Sequence, residues 1–250
     1  SRRMAGRNPE TFVYDGLGRT VASVDQAGTA TTLVFNDAAT TTTVTIAGDL
    51  VQTSTYNKAG DLLNYQESGT GLSEGPATYG HDALGRVRTV TDATGKVGYT
   101  LYDKVGRKVA DVSSLGEITE YRYDVRNRLV ATVSYKNLLN TTQLGQAATP
   151  ASTPDMSTMR PTADAADLWT WTVYDNEGRV VEAIDGDGSV TAYGYDASGR
   201  LIKTTGYANK LNSTQIAGLK TTLPTAPVLP TTHANDSIAR VFYDKDGRTV

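Results

Sequence analysis

Short runs of alternating or β-branched residues occupy most of this chain, and clusters of Asp, Gly, Asn and Ser separate them. Arg86-Val87-Arg88-Thr89-Val90-Thr91, a turn, and Lys96-Val97-Gly98-Tyr99-Thr100-Leu101-Tyr102 are representative. A side-chain period of two predicts strands. Val, Thr and Tyr dominate the runs, as suits a pleated, half-buried surface. Thr40 to Ile46 is another such run, and Ala47-Gly48-Asp49 after it reads as a turn. The pattern predicts an all-β chain, a repeat array of antiparallel β-hairpins.

The punctuation between runs is itself periodic. Tyr-Asp-x-x-Gly-Arg is complete at Tyr14-Asp15-Gly18-Arg19, Tyr102-Asp103-Gly106-Arg107, Tyr174-Asp175-Gly178-Arg179, Tyr195-Asp196-Gly199-Arg200 and Tyr243-Asp244-Gly247-Arg248. Degenerate copies start at Tyr56, His81 and Tyr123, and Phe35-Asn36-Asp37 is a worn one. The first positions, 14, 35, 56, 81, 102, 123, 174, 195 and 243, are separated by 21, 21, 25, 21, 21, 51, 21 and 48 residues. A fixed period of this kind decides architecture before any single residue does. In each copy the Asp can accept from backbone N–H groups further along the turn. The Gly supplies the left-handed residue that closes a type I turn with a G1 bulge. Asn127 replaces that Gly in the copy at Tyr123 and is the type that best tolerates the conformation. A second Asp-x-x-Gly set, at Asp25, Asp92 and Asp185, falls between the motifs, so each repeat holds two strands and two turns.

Departures from the period mark insertions. Glu67 to Pro76 reads as a flexible loop absorbing four extra residues. Two longer insertions span about 136–168 and about 208–237 and hold six of the eight prolines. Tyr135 to Leu144 resembles Tyr207 to Ile216 at an offset of 72, as do the motifs at 123 and 195, so motif and insertion were duplicated together. Asn212 to Leu219 predicts a short capped helix. The proline tracts cannot join a ladder, so the insertions are expected to leave the sheet and return.

Composition adds exclusions. A net charge of −3 with dispersed arginines argues against nucleic-acid binding. No apolar run is long enough for a membrane span. With no Cys there is no disulfide framework or thiolate site, and with two His (His81, His233) no metal site is expected. Three Phe and two Trp favour a wide, thin sheet over a compact ball. Ser1 to Arg7 is basic but has no apolar stretch after it, so it does not read as a signal peptide. The chain ends two residues after a motif, in an expected strand, and 1–250 reads as a segment of a longer array.

Candidate chemistry is sparse. Asp185-Gly186-Asp187-Gly188 resembles the start of a calcium loop but lacks the later ligands and fits the turn slot. There is no Gly-x-Ser-x-Gly elbow, and carboxylates at turn tips stay ionised, so neither catalysis nor a cofactor is expected. The motif Tyr, Asp, Gly and Arg read as scaffold, Asp and Gly making the turn and Arg covering Tyr or bonding neighbouring carbonyls. Trp169 and Trp171 alternate along a strand with both indoles on one face. They form a possible glycan platform, or else seal the sheet where the first insertion re-enters.

The motif and its 21-residue period resemble the YD repeat of bacterial RHS (rearrangement hot spot) proteins, which also occurs in insecticidal toxin complexes and teneurins. The resemblance covers the chain outside the insertions. It implies a β-strip that spirals into a hollow shell, of which this chain would supply a curved strip or part of the wall. In toxin members the shell encloses a C-terminal passenger, released by a self-cleaving aspartyl protease segment; neither is visible here. The expectation is a non-enzymatic shell segment of a secreted bacterial toxin, with its own passenger and neighbouring repeats as partners. The alternative is a cell-surface adhesion module that binds glycans or a partner protein through its exposed sheet face and insertions.

Overall fold

The computed structural model describes residues 9–73, 75–150 and 154–250, so Ser1 to Arg7 lie outside the described residues. The chain forms two compact units: Ser1–Leu101, Val112–Ser114 and Thr141–Pro154, and Tyr102–Asp111, Leu115–Asn140 and Asp155–Val250.

The first unit carries β1 (Thr11–Tyr14), β2 (Thr20–Val24), β3 (Ala30–Asn36), β4 (Thr41–Ile46), β5 (Leu50–Tyr56), β6 (Leu62–Gly69), β7 (Leu72–Ser73), β8 (Ala77–His81), β9 (Val87–Thr91) and β10 (Val97–Tyr102). From β1 to β6 each strand pairs antiparallel with the next, then β6 with β8, β8 with β9 and β9 with β10. Of the stretch expected as a flexible loop at Glu67–Pro76, residues 67–73 instead extend the ladder: β6 runs to Gly69, turns at Thr70-Gly71, and β7 pairs back on it. Gly71 at φ +76° permits that turn, and Asp49 holds it by accepting from the N–H and hydroxyl of Thr70. After β11 (Lys108–Ser113), which has residues in both units, the first unit also holds α1 (Thr141–Ala147).

The second unit carries β12 (Ile118–Tyr123), β13 (Leu129–Ser134), α2 (Met156–Met159), β14 (Leu168–Tyr174), β15 (Val180–Asp185), β16 (Val190–Tyr195), β17 (Leu201–Gly206), α3 (Ser213–Thr221) and β18 (Ser237–Arg240). β12 to β18 form one uninterrupted antiparallel meander. The chain that leaves after β13 therefore returns as its immediate neighbour β14, and the chain that leaves after β17 returns as β18. The expected helix at Asn212 is α3; Asn212 and Gln215 exchange side-chain and backbone bonds at 2.9 and 3.0 Å, satisfying N–H groups that a helix start leaves open.

Turn chemistry sets the register. Pairing slips by one residue immediately before Tyr14, Tyr56, His81, Tyr123, Tyr174 and Tyr195, because the strand after each turn carries one extra residue there (Val21, Leu63, Arg88, Val130, Val181 and Ile202), a bulge separate from the one at the turn itself. Gly18, Gly106, Gly178, Gly199 and Gly247 all have positive φ, and Asn127 does so at +62°. The worn copy after β3 uses Thr40 at φ +50° and keeps an unslipped register.

Burial concentrates in the second unit. Ala131, Val133, Trp169, Trp171, Ile184 and Val190 form the inner face of its sheet, and Leu211 and Leu219 of the second insertion cap them. In the first unit the Thr-rich strands are only half buried.

Candidate functional site

The recurring structural site is the turn and its link to the next one. In the copy at Tyr123, Asp124 Oδ1 accepts from the backbone N–H groups of Arg126 and Arg128 at 2.8 and 2.9 Å, and Oδ2 accepts from Arg128 Nε at 2.7 Å. Asp15, Asp103 and Asp244 repeat the triad of bonds, each with the Arg four residues on. Asp196 holds Arg200 in the same way, and Asp175 holds Arg179 through backbone and side chain alike. In the copy at Tyr56 the pair is exchanged for Asn57 and Asp61, joined at 2.8 Å.

The Asp–Arg bond aims the guanidinium at the neighbouring hairpin. Arg107 lies 5.0 Å from the Tyr123 ring centroid, Arg128 4.7 Å from Tyr174, Arg179 4.9 Å from Tyr195 and Arg200 4.5 Å from Tyr243. Each of those tyrosines donates its hydroxyl back to the carbonyl of the residue after that Arg: Lys108, Leu129, Val180 and Leu201, at 2.8, 3.0, 2.8 and 3.2 Å. Arg107 and Arg128 also donate to the next turn, at Asn127 Oδ1 (3.0 Å) and the Asp175 carbonyl (2.8 Å). In the first unit Arg19 stacks on Phe35 at 4.3 Å and pairs with Asp37 at 2.7 Å.

Electrostatics keep these groups charged. Backbone and side-chain bonds from Arg19 hold Asp15 below the usual carboxylate range. For Asp103, Asp124 and Asp175, burial pushes upward but the bonds from Arg107, Arg128 and Arg179 outweigh it. An acceptor saturated in this way is neither a proton donor nor a poised base. Among the described residues no group of three metal-ligating side chains is gathered. At Asp185–Gly188 the turn closes from Gly188 N–H to the Asp185 carbonyl, and Asp187 pairs with Lys210 at 2.6 Å, so a lysine occupies the carboxylate that a cation would need.

The tryptophans correct the glycan-platform reading. Trp169 and Trp171 stack with centroids 5.5 Å apart, but they are only 6% and 1% exposed. Arg122 covers Trp169 at 4.8 Å, and Trp171 donates its indole N–H to the Leu219 carbonyl at 3.2 Å. The second insertion closes over them because a strand of the sequence Leu-Trp-Thr-Trp presents an apolar stripe, and Leu211 and Leu219 are the complement. No sugar can reach that face.

Sequence reasoning missed two buried carboxylates. Glu120 receives Arg160 at 2.7 Å, Tyr135 at 2.6 Å and Arg122 at 3.1 Å. Burial alone would raise it, but these partners hold it below the usual range, and burial with Glu120 lifts Tyr135 to about 12. Glu182, wholly buried, accepts among the described residues from Val228 N–H alone, at 2.9 Å, and burial pushes it up. A carboxylate in a strand reads as solvent-facing until the element that covers it is known. Concavities of about 240 Å³ beside Phe35 and Tyr56, and about 200 Å³ between Arg126, Tyr174 and Pro224, fall below the roughly 300 Å³ at which small-molecule sites begin.

Fold and turn together define a β-hairpin repeat protein whose copies are cross-linked through Tyr and Arg. The RHS repeat family model matches residues 174–209, which contain the complete copies at Tyr174 and Tyr195. Residues 174–209 thus carry an RHS repeat, and the same turn is built at the copies outside that match. No curated protein matches the chain. Among solved structures, TcdB2-TccC3 is similar at 12% identity and TM-score 0.36, over 96% of this chain and 16% of that one. A Photorhabdus luminescens Tc holotoxin pore carrying a TccC3 mutation is similar at 13% identity and TM-score 0.36, over 96% and 15%. The chain thus spans about one sixth of the length of those it resembles. Among the described residues no helix is long and apolar enough to cross a membrane.

Proposed function

We propose that this chain is wall: a segment of the shell of a secreted bacterial RHS toxin that encloses and protects a C-terminal passenger. The observation that carries the reading is the Tyr–Arg cross-link between successive hairpins. A repeat array is stabilised by nearest-neighbour interfaces, and here the same side chains serve both the turn and the interface. The motif residues are thereby scaffold, committed to one another, and the role is structural rather than catalytic. Neighbouring repeats of the parent chain and the passenger are the partners, and the setting is extracellular. Adhesion through glycans is the less favoured reading, because the aromatic pair that would have served it is sealed inside.

Limited proteolysis of the full-length parent, with fragments identified by mass spectrometry, tests this. A region C-terminal to the array should survive while the shell is intact and be lost on mild unfolding. If nothing beyond the array is protected, encapsulation fails and glycan-array binding by the exposed face becomes the measurement to make.

A further inference from the structure

The two insertions share their lock but not their pin. Lys136 N–H donates to Asp167 and Ala208 N–H to Asp236, both at 2.8 Å; Asn137 and Asn209 donate to the carbonyls of Thr162 and Thr231 at 2.7 and 3.0 Å. Leu139 and Leu211 N–H donate to Gly116 and Gly188 at 2.8 and 2.9 Å. Against this common frame the anchoring carboxyls differ. Under the first insertion Glu120 is neutralised by Arg160 and Arg122. Counted from the locking Asp (236 − 167 = 69), the residue of the second insertion matching Arg160 is Leu229. No guanidinium comes with it.

The carboxyl beneath the second insertion is Glu182 of β15, fully buried, with Oε2 on the Val228 N–H and Oε1 without a hydrogen-bond partner among the described residues. Its neighbours across the sheet are Val173 on β14 and Ala192 on β16, with Thr205 of β17 beyond, and none carries charge. From the insertion, Tyr207 is the titratable group that feels it, and Asp236 acts on the same tyrosine. Both could add only negative charge. A carboxylate so placed is costly, whereas its protonated form is tolerated.

We infer that the second insertion is a proton-gated strap, seated on the sheet while Glu182 is protonated and released around Val228 when Glu182 ionises. The seated state favours the proton, so seating is complete below the ordinary carboxylate range and is lost as pH rises through the elevated value of Glu182. The first insertion, pinned by an ionised and paired Glu120, does not follow over that range.

Hydrogen exchange of the 250-residue chain from about pH 5 to about pH 9, corrected for intrinsic rates, tests this, since buried carboxyls titrate as high as about 8–9. Protection of 223–230 is expected to fall about tenfold or more, that of 155–162 to hold, and Glu182→Gln to abolish the fall. A fall that persists in Glu182→Gln, or one shared by both segments, overturns the inference. Should the Gln variant disturb the seat at every pH, carboxyl NMR of the unsubstituted chain decides: a Glu182 midpoint in the ordinary range overturns it, and an elevated one sustains it.

Discussion

If each copy of the motif is welded to the next by Arg and Tyr, the weld should appear as coupling between adjacent copies and vanish between non-adjacent ones. Arg128 and Tyr174 provide the test. The guanidinium lies 4.7 Å from the ring centroid, Tyr174 donates to the Leu129 carbonyl at 3.0 Å, and Arg128 donates to the Asp175 carbonyl at 2.8 Å. Tyr174→Leu removes an exposed hydrogen bond, about 0.5 kcal/mol at the low end of the usual net value, together with the stacking. Arg128→Gln leaves the backbone bond from residue 128 to Asp124 intact, so the turn survives. The term lost in common is the cation–π contact and the mutual positioning of the two hydrogen bonds, about 0.5–1 kcal/mol at a partly exposed site. A double-mutant cycle by urea unfolding, followed by Trp169 and Trp171 fluorescence, should return that coupling. The pair Arg128 and Tyr195, one copy further on, should be additive within about 0.3–0.5 kcal/mol. Equal coupling for both pairs, or none for the first, refutes the weld.

Other predictions follow from the same geometry. Trp171→Ala should cost about 3–5 kcal/mol in urea unfolding, because a fully buried indole leaves a cavity between the sheet and α3. Gly188→Ala should cost more than Gly178→Ala: both have φ +86°, worth about 1–2 kcal/mol, but only at Gly188 would a Cβ meet Leu211 O at 3.0 Å and Ile216 Cδ1 at 3.0 Å. Thermal melts of the two variants settle it. The turn carboxylates have lowered values, so their contribution is present above the ordinary carboxylate range and is lost as pH falls through the lowered one. Urea midpoints should therefore drop between about pH 5 and pH 2, and Asp124→Asn should shallow that drop.

The sheet was legible because its signals are local. Asp124 bonds residues two and four positions on, and Gly or Asn closes the turn within the same hexapeptide. The stretch Glu67–Pro76 misled because Gly and Ser suit a loose loop and a two-residue hairpin turn alike. The choice fell to Asp49, 21 residues earlier in the chain, which captures Thr70. The tryptophans left two readings open, a glycan platform or a seal, for a related reason. Alternation placed both indoles on one face correctly, but whether that face is wet depends on Leu211 and Leu219, some 40–50 residues away. Nothing local to Leu168–Val173 states it.

Duplication of the 72-residue unit explains which long-range features were free to drift. The locks at Asp167 and Asp236 and the bonds at Gly116 and Gly188 join insertion to frame, and both copies keep them. The seat beneath has no such constraint, since any apolar or neutralised arrangement that fills it will do. One copy therefore fixes its insertion with Arg160 on Glu120 and carries Met159 into the core. The other uses α3 over Trp171 and, among the described residues, leaves Glu182 with a single backbone partner. One is held by charge, which acid would loosen, and the other by a proton, which base would remove. A shell built from such units would respond to pH at one insertion without loosening the hairpins between, because the Tyr–Arg links that join the hairpins do not pass through either seat.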